Sequence, residues 1–240
     1  MSASLPFIRS VGQVVLVPTM PAFSGTSGNF VFYFLSKAAG LAFLLPVVVG
    51  VWRFRILEPT MKMFTMWSFL GAIEVCTEYL LGTRGINNMF LVNAYLVVEV
   101  PLLLAVYRRS VTQQNVKRLL TALSIFFIAA WVIDKIYWEM PGQLNEEMHM
   151  LSRVVTIVSS VVVLNSAMKN VSCALTGQPI FWVAAGSILY SAGSLLVLGL
   201  GNEFMKMSLS YFMYAWTINW TLSIVSCVMY TKGLLCRNNV

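Results

Sequence analysis

Charged side chains are scarce in this sequence of 240 residues. Only 10% of the residues are charged, 58% are hydrophobic, and the mean hydropathy is +0.78. A soluble domain carries about 25% charged residues, so this chain has too few to cover a globule of its size with a hydrated surface. The same composition excludes a disordered chain and a coiled coil. It therefore predicts an all-α, polytopic membrane protein.

Histidine and cysteine are also scarce, which excludes the common metal and redox sites. The chain has one histidine, His149, and its four cysteines include no Cys-x-x-Cys pair, so we expect no metal site and no disulfide. Phosphate-binding and dinucleotide-binding glycine loops and a Gly-x-Ser-x-Gly elbow are absent as well. We therefore expect neither an enzyme nor a cofactor. The net charge is +7, but the basic residues are scattered, so nucleic acid is not an expected partner.

Seven apolar runs are long enough to cross a bilayer, because a spanning helix needs about 20 residues. They cover residues 30–52, 61–82, 88–107, 117–138, 149–168, 179–201 and 208–232. Pro18 and Pro21 interrupt the shorter apolar stretch before them, so we expect residues 1–29 to lie outside the membrane. Residues 233–240 form a short tail.

Basic residues are distributed unequally between the two sets of connections. The connections after the first, third, fifth and seventh runs are rich in Arg and Lys, whereas Glu139, Glu146, Glu147 and Glu203 lie in or beside the others. The positive-inside rule then places the N-terminus outside and the C-terminus in the cytoplasm. The basic connections carry Arg53, Arg55, Lys62, Arg108, Arg109, Lys117, Arg118, Lys169, Lys232 and Arg237.

An internal repeat relates the first three runs (30–107) to the last three (149–232), with the fourth run (117–138) as a linker. A basic residue follows Leu-Ser near the start of the first and fifth runs, and a Trp and a Gly recur in one register in the second and sixth. The matched pairs are Lys37 and Arg153, Trp67 and Trp182, and Gly71 and Gly186. The sequence therefore predicts a 3+1+3 parallel repeat.

An asparagine lies in the third run and another in the seventh, Asn93 and Asn219. With the 3+1+3 layout, this pattern resembles the SWEET sugar transporters and the wider PQ-loop group. The resemblance implies a small-solute site between the two halves, near the bilayer midplane. Only Pro46 matches the prolines that SWEET proteins carry beside that site. The layout also resembles microbial rhodopsins, but the seventh run has only Lys232 at its end, so no retinal is expected.

Acidic residues inside the apolar runs are the main candidates for chemistry, because each costs at least about 2.5 kcal/mol to insert. Glu74 and Glu78 are one turn apart on the second helix, and Glu99 is near the middle of the third. Counting residues from the intervening turn places Glu74 and Glu99 at similar depths, and Glu78 level with Asn93. We therefore predict a ligand-binding or proton-binding cluster of Glu74, Glu78, Asn93, Tyr95 and Glu99.

Carboxylates that lie close together in a medium of low dielectric constant cannot all ionise. We expect Glu74 and Glu99 to face the interior and at least one of them to carry a proton at neutral pH. In the alternative interpretation, the acids are paired with Lys37, Arg84 or Arg153 and only lock the helices together. A second polar and aromatic group in the seventh helix, Trp216 and Asn219, is the other candidate binding site, although a buried Asn also serves as a contact between helices.

These features favour transport or conduction of a small solute or ion, with the intramembrane glutamates as the proton-linked site. One alternative is a seven-helix receptor that signals through a separate cytoplasmic partner bound at the basic connections. Another is a structural subunit of a larger membrane complex. Besides the lipid bilayer, a homo-oligomer or a cytoplasmic protein is a candidate partner.

Overall fold

The computed structural model describes residues 27–137, 145–169, 175–207 and 209–236, of which 27–31, 33, 199–207 and 209–212 are described by their backbone alone. Every regular element in this part of the chain is a helix. The prediction of an all-α chain is therefore confirmed. Three parts of the chain lie outside the described residues: the predicted N-terminal segment up to residue 26, Cys173, and the tail beyond residue 236. Among the described residues, Cys76, Cys227 and Cys236 are free thiols.

Eight α-helices and one short 3-10 turn, Leu175–Gly177, make up the described chain. The helices are α1 (Ser27–Ala42), α2 (Leu44–Trp52), α3 (Pro59–Thr83), α4 (Met89–Ser110), α5 (Gln114–Tyr137), α6 (Glu146–Lys169), α7 (Pro179–Met207) and α8 (Leu209–Leu235).

The first predicted helix, at 30–52, is divided into α1 and α2 at Phe43. Pro46 explains the division, because proline has no N–H to bond the carbonyl of Ala42 and its ring crowds that carbonyl. Pro179 and Pro59, by contrast, stand at the first position of α7 and α3, where an N–H would have no helical partner in any case.

Five helical segments are long and apolar enough to cross a membrane, which suits a membrane location. They are Phe34–Trp52, Met89–Ser110, Gln114–Tyr137, Glu146–Lys169 and Pro179–Leu198. The sequence predicts seven spans, and the remaining two, α3 and α8, are less apolar in their described residues. In α3 the polar contribution comes from Lys62, Glu74 and Glu78.

Seven of the described helices form a closed ring, in which α1 and α2 together occupy one position. Around the ring, α1 and α2 pack against α8 and α2 packs against α3, followed by α3 on α4, α4 on α6, α6 on α7 and α7 on α8. Helix α5 packs against α4 and α6. Short connections make successive helices antiparallel, so the bundle has two ends. We call them the Asn145 end, where α6 begins, and the Cys236 end, where α8 finishes.

The Cys236 end is filled by a packed core. Phe64, Tyr107 and Leu234 are fully buried there, and the hydroxyl groups of Tyr107 and Ser160 lie 2.8 Å apart. Arg53 connects α2 to this end by donating a hydrogen bond from Nη1 to the carbonyl of Leu234, at 2.6 Å. Cations near the last carbonyls of a helix also stabilise it through the helix dipole.

Candidate functional site

A cavity of about 230 Å³ lies inside the ring and is lined by side chains from every helix except α5. Glu146, the first residue of α6, lines one part of it, and Trp67 and Tyr230 line another. Since Glu146 marks the Asn145 end, the cavity extends from that end into the middle of the bundle. The packed core lies between the cavity and the Cys236 end.

Six of the seven predicted site residues line this single cavity. They are Glu74 and Glu78 from α3, Tyr95 and Glu99 from α4, and Trp216 and Asn219 from α8. The two groups that the sequence separated, acids in one half and an aromatic and amide group in the other, therefore face a common space.

Asn93, the seventh predicted residue, takes part in a different arrangement. Its Oδ1 accepts a hydrogen bond from the backbone N–H of Asn145 at 3.1 Å, and Trp131 Nε1 donates to its carbonyl at 3.0 Å. Asn145 in turn caps α6 by accepting from the N–H of Met148 and donates to Asp134. Asn93 and Asp134 therefore hold the start of α6 in place.

Glu99 forms a buried ion pair with Arg153 of α6. Arg153 Nη1 and Nη2 donate to the two carboxylate oxygens at 2.8 and 3.4 Å, and each residue is at most 8% exposed. The guanidinium also lies over the ring of Tyr190, 4.9 Å from its centroid. Glu99 is therefore paired with a basic residue, as the alternative interpretation of the acids expects. The ion pair nevertheless lies beside the cavity.

Glu74 and Glu78 are placed differently, because no described basic side chain forms an ion pair with either carboxylate. They lie within hydrogen-bonding reach of each other on one face of α3, and both line the cavity. Lys37, which was considered as their partner, instead has its ammonium group over the ring of Tyr79, 4.8 Å from the centroid.

Aromatic rings supply much of the remaining wall. The Trp216 and Trp220 rings are 5.8 Å apart and tilted by 43°, and Phe32 packs edge-on against Trp220. Asn219 lies between these two tryptophans in the sequence, and its Oδ1 accepts a hydrogen bond from Ser194 at 3.4 Å. This bond fixes the amide between α7 and α8.

Two aromatic side chains, Trp67 and Tyr230, form the floor of the cavity, and Phe64 packs against both of them. Trp67 stacks on Phe64 and meets Tyr230 edge-on, with ring centroids 5.4 and 5.9 Å apart. Trp67 Nε1 donates to the Glu99 carbonyl at 3.0 Å, and the Tyr230 hydroxyl lies 3.2 Å from that of Ser187. These hydrogen bonds hold the floor in one arrangement.

Two buried polar atoms beside the cavity have no hydrogen-bond partner among the described residues. They are Arg153 Nε and His149 Nε2, and both residues are 7% exposed and line the cavity. Buried polar groups are nearly always bonded, so each of these atoms has capacity for a ligand or a water molecule.

Sequence reasoning missed Arg153 and His149 as site residues. The sequence marks Arg153 only as part of the repeat and as a candidate partner of the acids, and the single histidine, His149, only argues against a metal site. A signal was present, because residues 149 and 153 are one turn apart and therefore share a face at the start of an apolar run. The rule that an ionisable group inside lipid is a functional candidate applies to arginine as much as to glutamate.

Comparison with known protein families, with curated proteins and with solved structures found no match to this chain.

Proposed function

We propose that this protein transports a small solute across a membrane and that Glu74 and Glu78 link the movement to protons. The observation that carries the proposal is a cavity that contains acidic side chains inside a ring of helices, several of which suit a bilayer. A bundle that only had to be stable in lipid would not require such a cavity. Acids without a basic partner among the described residues are costly to bury, and such acids are therefore functional candidates.

The carboxylate pair supports proton linkage because no described basic side chain forms an ion pair with it. Where the effective dielectric constant is low, two adjacent carboxylates repel strongly unless a positive charge lies between them. A proton can supply that charge, and so can a cation. Binding of one then favours release of the other, which is what exchange across a membrane requires.

A carrier must open its site to each side in turn, and among the described residues this cavity is lined toward the Asn145 end only. Opening toward the Cys236 end would require the Trp67, Phe64 and Tyr230 rings to separate. The position of α5, which does not line the cavity, supports the 3+1+3 layout, in which the fourth helix is only a linker. Rocking of two three-helix halves around a central site is a known form of alternating access.

Proton movement in proteoliposomes tests this proposal. Vesicles that contain the protein and a pH-sensitive dye are exposed to pools of small solutes, and we expect a protein-dependent change in internal pH with the transported solute. Glu74→Gln combined with Glu78→Gln should abolish this change. Glu147→Gln, which alters an exposed glutamate outside the cavity, should preserve it.

A receptor is the second candidate function, because the packed core leaves the cavity open to one end alone. A receptor would bind a solute in the cavity and show no flux in the vesicles. Binding detected as a rise in the unfolding temperature, without any transport of the bound solute, would replace the transport proposal with this one.

A further inference from the structure

We infer that the cavity binds a small organic monocation that carries an ammonium group and a neutral hydrogen-bond acceptor. This inference rests on the proposed function only in using the same cavity. It would hold for a transported solute or for the ligand of a receptor. Three observations on separate helices support it, and each concerns a different part of the ligand.

The first observation concerns charge. Glu99 and Arg153 offset each other across their ion pair, so Glu74 and Glu78 are the carboxylates of the inner cavity that lack a basic partner among the described residues. A single positive charge between two carboxylates leaves the pair with one negative charge, whether that charge belongs to a proton or to an ammonium group. A monocation therefore replaces the proton without changing the net charge of the site.

The second observation concerns the aromatic walls. Tyr95, Tyr190, Trp216 and Trp220 line the cavity together with the carboxylates. Ring faces attract cations, and the attraction is strongest when a desolvated cation lies over Trp or Tyr. The same rings contact the apolar part of an organic ligand, which a bare metal ion lacks. Carboxylates combined with ring faces therefore favour an organic cation.

The third observation concerns the unpartnered donors. Arg153 Nε carries an N–H that no described residue accepts, and the buried His149 Nε2 one turn away is also unbonded. An acceptor on the ligand, such as a hydroxyl or a carbonyl oxygen, would satisfy the Arg153 N–H. A carboxylate is less suitable there, because Glu99 already offsets the charge of the guanidinium.

The volume of the cavity limits the size of the ligand. Typical ligand pockets have volumes of about 300–1,000 Å³, and this cavity, at about 230 Å³, is smaller. A small ligand, such as an amine with one ring or a short chain, suits a cavity of this size.

Binding of four small molecules of similar shape to the purified full-length protein in detergent tests the inference. Phenylglycinol carries an ammonium group and a hydroxyl, α-methylbenzylamine lacks the hydroxyl, phenylethanediol is neutral, and mandelate is an anion. By calorimetry, we expect phenylglycinol to bind most tightly, α-methylbenzylamine several-fold more weakly, and the other two at least tenfold more weakly.

Variants locate the ligand within the cavity. Glu74→Gln with Glu78→Gln should weaken phenylglycinol binding at least tenfold, and Glu147→Gln should leave it unchanged. If the double variant does not fold, each single substitution should weaken binding several-fold. The ligand series on the unchanged protein tests the charge preference without any substitution.

Several results would overturn the inference. The inference is wrong if mandelate binds as tightly as phenylglycinol, or if the glutamate variants do not change binding of the cation. It is also wrong if only Na⁺ or Ca²⁺ stabilises the protein, or if neither amine binds at millimolar concentration. Flux measurements keep the two proposals separate. Amine binding without flux contradicts transport only, whereas flux of a non-cationic solute without amine binding contradicts only the ligand class.

Discussion

At the scale of single residues, the glutamates inside the bundle have different environments although they look alike in the sequence. Glu99 has a buried guanidinium as its partner, whereas Glu74 and Glu78 face each other across one turn of α3. A glutamate that holds a buried cation is needed for folding. A glutamate without such a partner costs stability and is therefore the better candidate for function.

Removing the charge of Glu99 should therefore destabilise the protein. In Glu99→Gln the Arg153 guanidinium stays buried without a counter-charge, and breaking a buried pair in this way costs about 3–5 kcal/mol. Thermal unfolding in detergent, followed by tryptophan fluorescence, measures the loss.

Glu74→Gln provides the contrast, because it leaves no cation unpaired and removes a charge that is costly to bury. We expect its unfolding temperature to be equal to or above that of the unchanged protein, with Glu147→Gln as the surface control. Equal stability of Glu99→Gln and Glu147→Gln would show that the ion pair does not support the fold. Glu99 would then become a functional candidate on the same footing as Glu74.

At the scale of helices, two kinds of feature determine how the ring closes. Pro46 divides the first span into α1 and α2, and both helices contact α8. Glycines let neighbouring helices approach closely. A Cβ atom on Gly50 would lie 2.5 Å from Thr65, and one on Gly233 would lie 2.9 Å from the carbonyl oxygen of Pro179. Small residues at such contacts are typical of helix packing in membranes.

Gly233→Ala should separate α7 from α8. The obstructing atom is backbone and cannot rotate away, so the helices themselves must move, at a cost of about 1–3 kcal/mol. Gly40→Ala is the matched control, because a Cβ atom there meets nothing within 4 Å. Alanine at position 40 should even favour the helix, by up to about 1 kcal/mol.

Thermal unfolding of the two glycine variants side by side tests this prediction. If both change stability equally, the close approach at Gly233 does not determine the packing of α7 on α8.

At the scale of the whole molecule, the direction of the bundle in the membrane follows from charge and stays a prediction. The Arg and Lys residues cluster in the connections at the Cys236 end, which the positive-inside rule assigns to the cytoplasm. The cavity would then open to the outside in this conformation. Solute capture from outside and exchange with internal cations would fit that direction.

Labelling of intact cells with a membrane-impermeant maleimide tests the direction. Glu147→Cys replaces an exposed side chain next to the start of α6, whereas substituting Asn145 would remove the cap of that helix. We expect the thiol introduced at position 147 to be labelled before permeabilisation and Cys236 only afterwards. A Cys236→Ser variant identifies the second signal. The reverse pattern would place the cavity on the cytoplasmic side and would contradict the predicted orientation.

The amino-acid sequence alone was enough to predict a helical chain that suits a membrane. Long apolar runs with few charges leave no other way to satisfy the backbone in lipid, and helix ends followed from proline and loop positions. The periodicity of one helix also determined that Glu74 and Glu78 share a face. These properties depend on neighbours along the chain, so one sequence is sufficient to predict them.

Which polar groups meet became visible only from the packing of the helices. Glu99 pairs with a residue 54 positions away, Asn93 lies at the start of α6 instead of in the cavity, and the cavity joins α3 and α4 to α8. These contacts depend on how each helix is rotated and on which helices are neighbours in the ring. Apolar helix faces are nearly interchangeable in lipid, so the sequence constrains weakly which helices become neighbours. Close packing at a few small and polar residues selects the neighbours.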